Sequence, residues 1–208
     1  MVLVDKRMKT GAVFIHGSPA ANDAIDTELL KLAVSMVHDQ ETKSLVINGL
    51  TDAACWPNGQ RLAYPGCDTW GCTLSSLEFS DFLMIPPSKH TAAESDNLIK
   101  LANEMGWESV TIMSYPHHIL RCMLQMVFCL KRAQSNLKVY TRTLPSIDWQ
   151  MIAEKGVLGG QSFRGTLVDA HIREEYERLI KYADKDGTGY TPHATLEELI
   201  DYYQWRDQ

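Results

Sequence analysis

Between Met113 and Met123 the chain reads MSYPHHILRCM, which sets a hydroxyl (Ser114), two adjacent imidazoles (His117 and His118) and a guanidinium (Arg121) where one structural element ends and the next begins. A guanidinium holds a carboxylate or phosphate through two parallel hydrogen bonds. An imidazole donates to the same anion, or moves a proton near neutral pH. On a helix starting near His117, a step of roughly 100° per residue sets His118 opposite the stripe Leu120, Met123, Leu124 and Val127. His118 is therefore expected to point away from the core, with Arg121 on an adjoining face. An exposed first turn without any ligand has the same spacing.

A second group of polar residues precedes it in SKHTAAESDN. Ser88 and Thr91 offer hydroxyls to a ligand, and Glu94 could orient His118 or hold a ribose. Thr91 and Glu94 also match the capping box, in which the threonine bonds the N3 amide and the glutamate reaches back, so capping alone explains them. Lys89 and His90 read as solvated. Two glycine turns, His16-Gly17-Ser18 and Asn48-Gly49, would let a ligand approach the backbone closely. Neither is the GxGxxG dinucleotide fingerprint, the phosphate-loop lysine motif is absent, and no GxSxG elbow surrounds Ser18 or Ser114.

Metal chemistry has weaker support. Cys55, Cys67 and Cys72 lack paired CxxC spacing, which argues against structural zinc, and Cys122 and Cys129 read as core packing. In DKDGTGYTPHATLEEL, Asp184, Asp186, Thr188 and Gly189 resemble the opening half of an EF-hand loop. The twelfth position is Thr195 rather than a bidentate glutamate, and Thr195 with Glu198 makes a capping box instead. No metal ligand is assigned.

These side chains need a scaffold. GAVFIHG from Gly11, SLVING from Ser44, FSDFLMIPP from Phe79, SVTIMS from Ser109 and LKVYTRT from Leu137 each read as a short apolar strand ended by glycine, proline or polar residues. Between them, Leu30, Ala33, Val34 and Val37, then Leu98, Leu101, Ala102 and Met105, fall at helical spacing. Strands alternating with amphipathic helices predict an α/β sandwich with a mainly parallel sheet of about five strands. Further helices are expected over 169–208. Residues 51–76 are rich in Cys, Pro and Gly and read as a long loop or lid. In such a sheet ligands bind beyond the carboxyl ends of the strands, where His16, Gly17, Ser18, Asn48, Gly49, Ser88, Thr91, Ser114, His118 and Arg121 all fall.

The 208 residues suit a single domain, 1–208, able to bury a sizeable core. Lys and Arg number 20 against 26 Asp and Glu, a net charge of −6 without a basic run, so nucleic acid is not an expected partner. No apolar stretch approaches the roughly 20 residues of a membrane span. The five cysteines are odd in number, and Asp5, Lys6, Arg7 and Lys9 interrupt the N-terminal apolar residues. A cytoplasmic setting is the expectation; a protein partner is not specified.

The stretch SKHTAAESDNLIKLANEMGWESVTIMSYPHHILRC, Ser88 to Cys122, resembles the central signature of the YdcF/SanA/ElyC-like family, an α/β domain of unknown function. The likeness extends over roughly Gly11 to Arg142. It matches Gly17, Asn48-Gly49, the Ser88, Thr91 and Glu94 set, and the Ser114, His118 and Arg121 set. The resemblance implies a Rossmann-like sheet with a polar pocket at the strand ends, and a nucleotide-like ligand, with S-adenosylmethionine a candidate cofactor. It departs after Gly49, where the family has a further glycine and an acidic residue opening a helix. The expected function is an enzyme or binding domain for an anionic nucleotide-like or phosphorylated small molecule. If catalytic, it is a transferase or hydrolase at a phosphoryl or adenosyl-type centre, with His118, Arg121 and Glu94 catalytic. The alternative is a non-catalytic ligand-sensing or protein-docking module.

Overall fold

A run such as Ala12-Val13-Phe14-Ile15, apolar at every position, can be buried completely only in a sheet covered on both faces. That is where it lies. In the computed structural model, β1 (Thr10–Ile15), β2 (Thr42–Asn48), β3 (Phe82–Ile85), β4 (Ser109–Met113) and β5 (Lys138–Arg142) form one all-parallel sheet in the order β3-β2-β1-β4-β5. The described residues are 5–17, 23–53, 66–145, 152–158, 161–166, 172–183 and 192–208. Ser18, Cys55 and the EF-hand lookalike from Asp184 to Gly189 lie outside them.

Because side chains alternate across a strand, Ala12 and Phe14 enter one apolar cluster and Val13 and Ile15 another. The first cluster is closed by α3 (Thr91–Glu104), α4 (Ile119–Ala133) and α6 (Leu196–Arg206), with Leu179 of α5 (Arg173–Ala183) packed against it. The second is closed by α1 (Asp23–His38) and α2 (Cys67–Ser76). The result is a three-layer Rossmann-like α/β sandwich. No helix among the described residues is long and apolar enough to cross a membrane. Arg206 ties the two ends of the chain together, donating to Asp5 at 2.7 Å and to the Val139 carbonyl at 2.9 Å, with its guanidinium over the rings of Tyr140 and Tyr203.

Three local expectations change. Residues 67–76 of the expected 51–76 loop form α2, because Trp70 and Leu74, one turn apart, are both buried against the sheet and outweigh the poor helix propensity of Gly71 and its neighbours. Residues 54–65 lie outside the described residues. A hairpin not anticipated from the sequence, β6 (Ile152–Leu158) with β7 (Gln161–Thr166), forms a separate antiparallel pair. The third change is at α3. Its N-cap is His90, whose Nδ1 accepts from the Ala93 amide at 3.2 Å, so Thr91 and Glu94 are not a capping box and His90 is not merely solvated. The Thr195 and Glu198 capping box does form at α6.

Candidate functional site

The chain runs outward from β1 through β2 to β3, then crosses back to β4 on the other side of β1. Between β1 and β4 the successive connections diverge, and their carboxyl ends flank the position where open α/β sheets bind ligands. The ladder carries the site one residue beyond β1, because His16 N–H donates to the Met113 carbonyl at 2.8 Å. The Ser114 hydroxyl donates to the His16 carbonyl at 3.2 Å.

His16 is fully buried, and its Nδ1 lies 2.9 Å from Glu94 Oε2. The other Glu94 oxygen accepts from Asn48 Nδ2 at 2.9 Å. With one oxygen already taken by an amide donor, the carboxylate receives the Nδ1 proton of His16 on the other, and in the neutral ring this leaves Nε2 as the lone-pair nitrogen. That Nε2 is buried and has no hydrogen-bond partner. Leaving such an atom unpaired costs about 1–3 kcal/mol, so it is a position where a bound donor would be worth most. Glu94 thus orients His16, not His118 or a ribose.

Asn48 spends its whole side chain on the protein. Its Nδ2 also donates to the Ser88 carbonyl at 2.7 Å, and its Oδ1 accepts from the amides of Ser88 at 3.0 Å and Leu50 at 3.1 Å. The Ser88 hydroxyl donates to the Pro86 carbonyl and accepts from Asn97. Both residues, expected at the ligand, instead brace Glu94 and the β3–α3 turn. Gly49 is likewise structural: a Cβ there would lie 2.7 Å from the Ile85 carbonyl oxygen, the acceptor of the Gly49 amide. Gly49→Ala is expected to cost about 1–3 kcal/mol by forcing β2 and β3 apart at their ends, read as a shift in the urea midpoint. Gly17 is half-buried beside His16.

A second constellation adjoins the first. Arg121 Nε donates to Glu175 Oε2 at 2.7 Å and Nη2 to Glu175 Oε1 at 2.9 Å, the two-bond geometry expected for a ligand anion but made with the protein's own α5. Arg121 Nη1 donates to the Thr91 hydroxyl at 3.2 Å, and Nη2 to His118 Nδ1 at 3.0 Å. His118 and Arg121 are not outward-facing: they are 1% and 6% exposed. The helix-wheel reading fails because it considers α4 alone, whereas α3 brings Thr91 and α5 brings Glu175 over the polar side of α4. His117 stacks on Tyr115, with ring centroids 5.5 Å apart.

Burial, and then the Arg121 cation, lower the His118 pKa to about 4, against the opposing pull of Glu175. The ring is neutral near pH 7, accepts at Nδ1 and carries its proton on Nε2. Burial works against a charge on Glu175, but its His118 and Arg121 neighbours more than offset it and hold the carboxyl well below the usual carboxylate range. With the ring neutral, the guanidinium is the charge responsible. Burial pushes the Cys122 thiol well up, so this cysteine beside Ser114 is packed and protonated, not a nucleophile.

Glu175 is the site residue that the sequence reading missed. Its signal is present: Glu175, Leu179 and Tyr182 share a helical face, and Leu179 packs on the core, so a carboxylate lies on the inward side of α5. Among the described residues, no group of three or more His, Cys, Asp or Glu side chains is placed to hold a metal ion. No protein-family model matches the chain, and no curated protein matches it.

Proposed function

We propose that this protein is a small-molecule enzyme or ligand-binding domain for an anionic, nucleotide-like or phosphorylated ligand, bound at the carboxyl edge of the sheet between β1 and β4. One observation carries the reading: a fully buried imidazole, fixed in one tautomer by Glu94, with an unpartnered nitrogen at the strand ends. Such a nitrogen accepts a hydrogen bond from the ligand or takes its proton as a general base. Neutral His118, its proton on Nε2, is a hydrogen-bond donor rather than an acid, and Arg121 supplies the positive charge. The resemblance to the YdcF/SanA/ElyC-like family supports S-adenosylmethionine, or a nucleoside or sugar phosphate, as the ligand class. If catalytic, the reaction is transfer or hydrolysis at a phosphoryl or adenosyl-type centre.

The alternative, a non-catalytic sensing module, is favoured by the internal neutralisation of Arg121 by Glu175, which occupies both sides of the guanidinium's two-bond clamp in this state. A thermal-shift screen with adenosine monophosphate, S-adenosylmethionine and sugar phosphates separates these readings from no ligand at all. A ligand at a hundred times its Kd stabilises by about 2.7 kcal/mol, which for a chain of this size raises Tm by about 5–10 °C. His16→Gln should abolish that rise. A flat screen, or a rise that survives His16→Gln, removes the site; turnover of the hit then tells enzyme from sensor.

A further inference from the structure

Helix α5 is held to the protein in an unusual way. Among its described side chains Glu175 alone is buried, and the adjoining flank displays Ile172, just before the helix, with Tyr176 and Ile180, which are 45%, 65% and 58% exposed. Besides Glu175, α5 meets the core through Leu179, half-buried against the α3 and α4 cluster, through the Leu179 carbonyl, which accepts from His193 Nε2 at 2.9 Å, and through the Tyr182 ring, 5.8 Å from the Arg121 guanidinium carbon. An amphipathic helix ordinarily docks through an apolar stripe. In this one the inward face carries Leu179 and Tyr182, but its buried member among the described side chains is a carboxylate.

We infer that Glu175 occupies the anion position of the ligand site, so that an anionic ligand reaching Arg121 displaces Glu175 and loosens α5. The inference rests on the proposed ligand site and adds its regulation. Three physical points carry it. First, four of the five guanidinium N–H groups are engaged: Nε and Nη2 hold the two Glu175 oxygens, Nη2 also serves His118, and Nη1 serves Thr91, which leaves one N–H on Nη1. A second oxyanion cannot obtain two parallel bonds while Glu175 stays. Second, Arg121 and Glu175 cancel and His118 is neutral, so adding an anion would place two negative charges on one buried cation, and like charges in a shared buried site cannot both remain. Third, Thr91, His118 and Arg121 all come from the turns and helix starts at the strand ends, whereas Glu175 alone is delivered by the C-terminal part of the chain. It is the member that can leave without dismantling the sheet edge.

The shared ligand chemistry is an oxyanion able to take two hydrogen bonds side by side. Adenosine monophosphate presents it as phosphate and S-adenosylmethionine as carboxylate. Calorimetric titration of each into wild type and Glu175→Gln tests the inference, together with hydrogen exchange of the α5 amides in wild type with and without each compound. With its internal competitor gone, Glu175→Gln should bind at least one of the two about tenfold more tightly than wild type. Exchange across 173–183 should rise when that compound binds wild type. Binding of equal or weaker strength in the variant, with α5 exchange unchanged in liganded wild type, overturns the inference and leaves the ligand site standing. Binding to neither protein overturns both. If Glu175→Gln fails to fold, exchange in wild type decides alone: unchanged α5 protection in the bound state rejects displacement.

Discussion

Arg121→Ala will destabilise the unliganded protein by about 3–5 kcal/mol, the cost of leaving one member of a buried ion pair without its partner. The stranded group is Glu175, 5% exposed, which loses both of its bonds to the guanidinium. An outward-facing arginine, as the helix period alone suggests, would instead be nearly neutral on replacement. Urea denaturation of wild type and variant separates the two cases. Arg121→Met combined with Glu175→Leu should recover most of the loss, because it removes both charges and their desolvation together. The acid dependence has a defined sign. His118 has a folded pKa of about 4 against 6.5 when free, so the unfolded chain binds more protons between those values. Stability therefore falls as pH drops through that window. Glu175, whose folded pKa is depressed, contributes stability above its ordinary value of 4.5 that is lost as pH falls further through the folded value. Two successive losses are expected on acidification, the upper one abolished in His118→Asn. A stability profile flat from pH 7 to 4 would show that His118 is not buried neutral.

The parallel sheet was legible because its strands carry their own signature. Ala12 to Ile15 and Leu45 to Ile47 are buried on both faces, and continuous apolar runs of that length between helical repeats have few other solutions. The elements missed are those whose local signals conflict with their packing. Cys67–Ser76 holds a glycine and two cysteines but is helical through Trp70 and Leu74, and Ile152–Thr166 has no apolar alternation to announce a hairpin. At the site, residue positions were legible and residue roles were not. The rule that strand ends deliver functional groups picks out His16, Asn48, Ser88, Thr91, Ser114 and His118 without knowing how they pair. Pairing depends on how helices dock: His16 meets Glu94 across 78 positions of sequence, and Arg121 meets Glu175 across 54. No local pattern encodes those distances. The capping motif at Thr91 and Glu94 shows the same limit, since a four-residue pattern fits equally a cap or an inward-facing carboxylate, and the presence of His16 on the neighbouring strand end selects the second.

If the protein is an enzyme with His16 as its base, as proposed, Glu94→Gln lowers kcat/KM by about 10²–10⁴-fold, the range in which positioned acid–base groups contribute, while costing little stability. The reason lies in the two neighbours of the carboxylate. Asn48 Nδ2 donates to Oε1 and His16 Nδ1 to Oε2, so Glu94 accepts on both sides. A glutamine has one acceptor and one donor end. If its oxygen keeps Asn48, its NH2 faces His16 Nδ1 and drives the imidazole proton to Nε2, which becomes a donor and can no longer accept the ligand's proton. If its oxygen keeps His16, its NH2 faces the Asn48 NH2, and that bond is lost while Asn48 still braces Ser88 and Leu50. Asn48 is satisfied elsewhere only in part, so the first arrangement competes directly with the second, and the bond energy at stake is about 1 kcal/mol. Nitrogen chemical shifts of the His16 ring report the tautomer independently of turnover. A merely structural Glu94 would alter stability and leave kcat and the ring nitrogens unchanged; a glutamate that fixes the base moves the nitrogen shifts and kcat together, with KM following only as far as the ligand uses His16 Nε2 for binding.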